Sequence, residues 1–204
     1  VLIPRLYLLL ILGGFQGVLG WYMVKSGLVD DPNVSQYRLT AHLGMAVFIY
    51  SLILWTVFDL SLNYNHAIRS RIKWMSSTLT LLIFLMILSG GLVAGTRAGI
   101  PFPTWPLMGD TFIPPQIYSM NPSWLSAFED MATIQFNHRM FAYLLTIFIV
   151  IFAIVLLGSN VPRFLKNGTT VLLFVLSLQV VLGISTLLFY LSLIHISEPT
   201  RPGH

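Results

Sequence analysis

Long apolar runs alternate with short polar interruptions along this chain. Five of the runs are long enough to cross a bilayer: about residues 6–24, 39–60, 74–95, 132–157 and 170–191. A helical span needs about 20 mostly apolar residues, and inside lipid the backbone must satisfy its own hydrogen bonds. The pattern therefore predicts an all-α, polytopic membrane helical bundle with five transmembrane helices. The charges between the runs fall into two sets. Arg69, Arg71 and Lys73 lie between the second and third runs, and Arg163 and Lys166 between the fourth and fifth, while Asp30, Asp31, Asp110, Glu129 and Asp130 occupy the other loops. Lys and Arg concentrate on the inner side of membranes, which places the two basic loops and Arg5 inside. The 96–131 loop, rich in Pro and Trp (IPFPTWPLMGDTFIPP), then lies outside. Five crossings put the two termini on opposite sides.

Composition agrees with this reading and narrows the partners. The 204 residues are 56% hydrophobic and 9% charged, with a mean hydropathy of +0.81, far from the balance of a water-soluble domain. The lipid bilayer is the first partner. The net charge of +4 is spread over short loops, so it records orientation rather than nucleic-acid binding. With no cysteine, these residues offer no disulfide, iron–sulfur cluster or thiolate ligand. The chain opens on VLIPRLYLLL with neither an initiating methionine nor a recognisable leader, and is expected to be a piece of a longer protein. After Tyr190 it reads LSLIHISEPTRPGH, whose end resembles a translated sequencing adaptor. Residues 192–204 are set aside as a non-native tail.

The predicted topology puts two histidines at one membrane face. His42 stands near the outer end of the second helix and His138 near the outer end of the fourth, in MATIQFNHRMFAYLLTIF. An ionisable side chain inside a membrane helix is costly unless partnered, so each is a functional candidate. Neutral imidazole is the usual axial ligand of haem iron and needs no cysteine. Ala46 and Ala142 lie one turn beyond His42 and His138, leaving room for a flat ring beside either ligand. The competing reading makes each histidine an interfacial residue bonded to a carbonyl, and spacing alone leaves both open. Arg139 and Arg38 are candidate partners for an anionic group such as a haem propionate; Arg38 shares a helix face with His42. Each arginine would otherwise snorkel to the interface. Gly91, Gly95 and Gly99, and Gly13 with Gly17, have the small-xxx-small spacing of close helix packing. The scattered methionines read as packing. His66, His195 and His204 are assigned no role.

A short repeat links the two ends of the chain. QGVLG (Gln16–Gly20) and QVVLG (Gln179–Gly183) agree at four of five positions and stand 163 residues apart. On that register the first helix corresponds to the fifth, and His42 maps to position 205, one past the end. The first two helices then close one half of a repeat and the last three open another. Each half holds one histidine of an expected pair. The implied organisation is 1–60 as the last two helices of an N-terminal half, 61–73 as an inner linker, and 74–191 as the first three helices of a C-terminal half.

The strings GWYMVKSGL (20–28), VSQYRLTAHLG (34–44), GGLVAGTRAG (90–99), FPTWPLMGD (102–110) and IQFNHRMFAYLL (134–145) occur in an order that resembles the haem A synthase family. The resemblance covers about residues 1–190. It implies eight helices in two pseudo-symmetric four-helix halves, each with a histidine pair near the outer face, in a mitochondrial inner membrane or bacterial plasma membrane. It also implies oxidation of a haem O ring methyl to a formyl group, giving haem A for cytochrome c oxidase assembly, with a bound haem b (iron) as cofactor. By that resemblance His138 is an axial ligand of haem b and His42 belongs to the substrate haem site. Arg139 and Arg38 stay candidates for the propionates. The family's acidic residue for substrate chemistry would lie before Val1, so no catalytic residue is assigned here. His195 does not match the motif of the fourth histidine. The piece by itself is expected to be inactive. Electrons would come from a ferredoxin-type donor, and assembly as a homo-oligomer stays open. Two other classes compete: a cytochrome b-like electron carrier without substrate chemistry, and a haem-free membrane transporter.

Overall fold

The computed structural model describes the backbone of residues 2–25, 34–61 and 69–197 and the side chains of these segments as far as residue 189. His66, Asp30, Asp31, His204 and most of the 61–73 linker lie outside the described residues, as does the side chain of His195. Five long helices run through the described residues: α1 (Leu2–Lys25), α2 (Gln36–Ser61), α3 (Ser70–Thr96), α5 (Met131–Leu157) and α6 (Arg163–Ser197). A 3-10 turn at Ser123–Leu125 and the one-turn α4 (Ser126–Glu129) precede α5. The described residues contain no strand, only one isolated bridge between Met108 and Thr111. All five long helices are long and apolar enough to cross a membrane, and the chain is an integral membrane protein of the all-α, polytopic class.

Every predicted span is present, and each helix is longer than its apolar run. Hydropathy marks only the part that must sit in hydrocarbon, whereas the helical hydrogen-bond ladder continues into the polar interface wherever nothing breaks it. Pro4 is accommodated in the first turn of α1, where its missing N–H costs no ladder bond. α6 starts at Arg163, directly after Pro162, and carries the helix seven residues ahead of its apolar run at 170. Its end at Ser197 passes the expected tail boundary at 192.

Apolar side chains point outward on these helices. Trp55 is 66% exposed and Phe174 69%, because lipid solvates them as well as a protein interior would. Association must then come from close packing and polar contacts.

The chain divides into two compact units, Val1–Thr96 and Arg97–His204. In the first, α2 packs against both α1 and α3. Gly91 and Gly95 let backbones meet there, and Gly44 makes room for the Leu88 side chain. A Cβ at Gly95 would stand 2.6 Å from Gln36 Cα, one at Gly91 2.9 Å from Thr40 Oγ1, and one at Gly44 2.7 Å from Leu88 Cδ2. The expected packing role thus holds for Gly91 and Gly95. Gly99 makes only ordinary contact with Leu187, and Gly13 and Gly17 face open space among the described residues. Near the other end of this unit Arg5 of α1 pairs with Asp59 of α2.

In the second unit α5 packs against α6 and α4. It buries Leu145, Ile149, Phe152, Ala153 and Leu156 at the 3–4 spacing of one helix face. Its start is set by Asp130, which is extended and accepts a hydrogen bond from the Thr133 backbone N–H at 2.8 Å. That is the N-cap arrangement for the first free amides of a helix.

Candidate functional site

His42 sits half-buried on α2 and faces α1 at two residues one turn apart, Gln16 and Gly20. The Gln16 side-chain nitrogen lies 3.1 Å from the His42 backbone carbonyl and 3.3 Å from its ring Nε2. A carbonyl can only accept, so the amide group presents its NH2 end to His42. Its second N–H then requires ring Nε2 to be an acceptor. The contact is satisfied by the tautomer with its proton on Nδ1, since the opposite tautomer would set two N–H donors against each other. Nδ1 is buried and has no hydrogen-bond partner among the described residues, and the same is true of Gln16 Oε1 and Thr40 Oγ1. Gly20 completes the cradle. A Cβ there would stand 3.2 Å from His42 Cε1, so a bare backbone is what lets the ring lie against α1.

Arg38, one turn before His42, stacks its guanidinium over the Tyr22 ring at 4.8 Å, a cation–π distance. Beside it Lys25 lies over Trp21 at 4.7 Å. Aromatic side chains of α1 thus hold the two cations at the end of the unit that carries His42.

The second unit organises its polar groups around the first turns of α5. His138 is half-buried, and its neighbour Arg139 is only 8% exposed. Arg139 donates to three backbone carbonyls of the preceding loop: Phe102 at 3.0 Å, Thr104 at 2.8 Å and Leu107 at 3.1 Å. Gln135, one turn earlier, donates to the Phe102 carbonyl at 2.9 Å. On the neighbouring face the Tyr118 backbone N–H donates to Thr133 Oγ1, the Thr133 hydroxyl donates to the Asp130 carboxylate, and the Tyr118 hydroxyl donates to Asn137. Four side chains within two turns of helix therefore hold the 97–130 segment. Within that segment the Thr104 hydroxyl donates to Leu107 O and accepts from Gly109 N, and Met108 is almost fully buried.

The structure gives Arg139 an occupation that the expected propionate did not anticipate, since three of its five N–H groups are bound within its own unit. The role of Gln16 was also not anticipated, although QGVLG carried the signal. Gln179 and Gly183, the repeat copy on α6, are exposed, with nothing within 4 Å of a Cβ at Gly183.

An imidazole is the side-chain type that could hold a haem iron, and each unit carries one on a long helix, His42 on α2 and His138 on α5. His42 turns its ring Nε2 toward the Gln16 amide nitrogen, and His138 is half-buried on α5. The described residues contain no cluster of three or more His, Cys, Asp or Glu that would hold a free metal ion.

No solved structure matches the chain, whereas known sequences do. A heme A synthase of Nitrosospira multiformis is 46% identical over 193 residues, 90% of this chain and 52% of that protein. One of Parvibaculum lavamentivorans is 48% identical over 73% of this chain and 43% of that protein, and one of Nitrosomonas eutropha 42% over 87% and 51%. The chain spans about half the length of these curated relatives. The family model described as "Cytochrome oxidase assembly protein", COX15-CtaA, matches residues 1–196, so the chain belongs to that family.

Proposed function

We propose that this chain is part of a haem A synthase, in which a haem O ring methyl is oxidised to a formyl group beside a bound haem b. The observation that carries the proposal is the 46% identity to a heme A synthase over 90% of the chain, which includes both histidine-bearing helices. The relatives' name supports a part in making haem A, and the imidazoles of His42 and His138 are side chains suited to holding haem iron. Bound haem iron would supply the oxidising chemistry, for which no side chain here substitutes.

The residues of the chain bind and orient. His138 would hold haem b and His42 the substrate haem, each through its imidazole. Arg38, held over Tyr22, is the propionate partner on the substrate side. Arg139 serves the other side through the N–H groups that the loop carbonyls leave over. The proposal includes the eight-helix protein of two pseudo-symmetric halves, a mitochondrial inner or bacterial plasma membrane, haem sites near the outer face and a ferredoxin-type donor.

The test uses the full reading frame containing this chain. Purified protein should show a Soret band and convert added haem O to haem A. His138→Ala should lower retained haem b by roughly 100-fold or more, beyond what the loss of an outer-shell partner typically costs, while His66→Ala should retain it. Absence of a Soret band in the unmodified protein would leave a haem-free transporter. Haem binding with no change to the ring would leave a cytochrome b-like electron carrier.

A further inference from the structure

We propose that Gln16 is a placeholder at the metal-binding nitrogen of His42, and that it makes ligation at this site readily reversible. The inference rests on His42 being a haem ligand. Gln16 holds the one ring nitrogen that has a free lone pair: its amide donates to Nε2 at 3.3 Å while anchored to the His42 carbonyl at 3.1 Å. The anchor fixes the amide orientation, and the amide fixes the tautomer. The ring is thereby kept in the form that can bind iron through Nε2, and its lone pair stays occupied until iron takes it. Gly20 sets the ring against α1 within reach of this amide.

A permanent cofactor gains nothing from such competition, but a site that must take up one haem and release another does. On release of the haem, the Gln16 amide, already anchored to the His42 carbonyl, would be in place to take up the Nε2 lone pair. Gln16 is thus a positioning residue, and its contribution is to exchange. No proton or electron moves between the two side chains: the Gln16 N–H···Nε2 contact would give way when His42 holds the haem and would re-form on its release.

The experiment uses the full-length protein carrying His138→Ala, so that binding of added haem b reports the His42 site. Adding Gln16→Met, which keeps the side-chain length and removes the N–H groups, should raise haem b affinity roughly threefold to tenfold, the range for loss of one competing hydrogen bond. Transfer of that haem to excess apomyoglobin should slow accordingly. Gly20→Ala should weaken binding, because the new methyl displaces the ring. As a measure independent of loading, the imidazole 15N shifts of haem-free protein should report the Nδ1–H tautomer, and Gln16→Met should let the other tautomer appear. Unchanged or weaker affinity with Gln16→Met, or an Nε2–H tautomer in the unmodified protein, overturns the placeholder and leaves the ligand assignment standing. Haem binding that survives His42→Ala overturns both.

Discussion

Gly95 and Gly13 look alike in a helix but answer differently to an added methyl. A Cβ at Gly95 would stand 2.6 Å from Gln36 Cα and 2.8 Å from its Cβ, a clash with backbone that no rotamer relieves. Gly95→Ala should destabilise the first unit by about 1–3 kcal/mol, the usual cost of overpacking. At Gly13 a Cβ meets open space, and alanine is the better helix former. Gly13→Ala should therefore leave stability unchanged or slightly raised. Thermal unfolding of both variants of the full-length protein in detergent distinguishes them, and an equal loss at both sites would contradict the α2–α3 contact.

The first two turns of α5 combine a candidate ligand with a clamp. Thr133, Gln135, Asn137 and Arg139 hold the 97–130 segment, while His138 lies among them on the same helix. Arg139 contributes most, because its planar fork reaches three carbonyls at once and charged donors make the stronger hydrogen bonds. Arg139→Ala should free residues 102–109, raising their amide hydrogen exchange at least roughly tenfold, as expected for loss of charged hydrogen bonds worth about 1.5–3 kcal/mol each. Arg139→Lys should restore only part of the protection, since a single ammonium cannot bridge the Phe102, Thr104 and Leu107 carbonyls as the guanidinium does. Unchanged exchange in Arg139→Ala would show that the segment holds itself.

Orientation in the membrane belongs to the whole molecule. The basic loops around 69–73 and 163–166 are predicted inside, and the 97–130 segment outside. Because the chain has no cysteine, single cysteines report position without background from these residues. Ser159→Cys should react with an impermeant maleimide only after the inner face is opened, whereas Asp110→Cys should react in sealed cells or spheroplasts. The reverse pattern would invert the proposed orientation.

Some of this was legible in the residues alone. Five helices, their order and the class of fold follow from lengths of apolar sequence, because lipid allows a spanning segment few ways to satisfy its backbone. His42 and His138 could be singled out because an ionisable group in such a run must find a partner. Helix ends were less legible, since hydropathy stops at the interface and hydrogen bonding does not. Partners depended on the tertiary structure. These helices are apolar nearly all round, so no stripe in the sequence says which face meets which neighbour. Only packing showed that Gly95 is buried against Gln36 while Gly13 is open, that Gln16 and Gly20 hold an imidazole, and that Arg139 spends its donors on loop carbonyls. The number and type of elements are set by each segment's own balance with lipid, whereas the partner of a polar side chain is set by whichever helix or loop comes within about 3 Å of it.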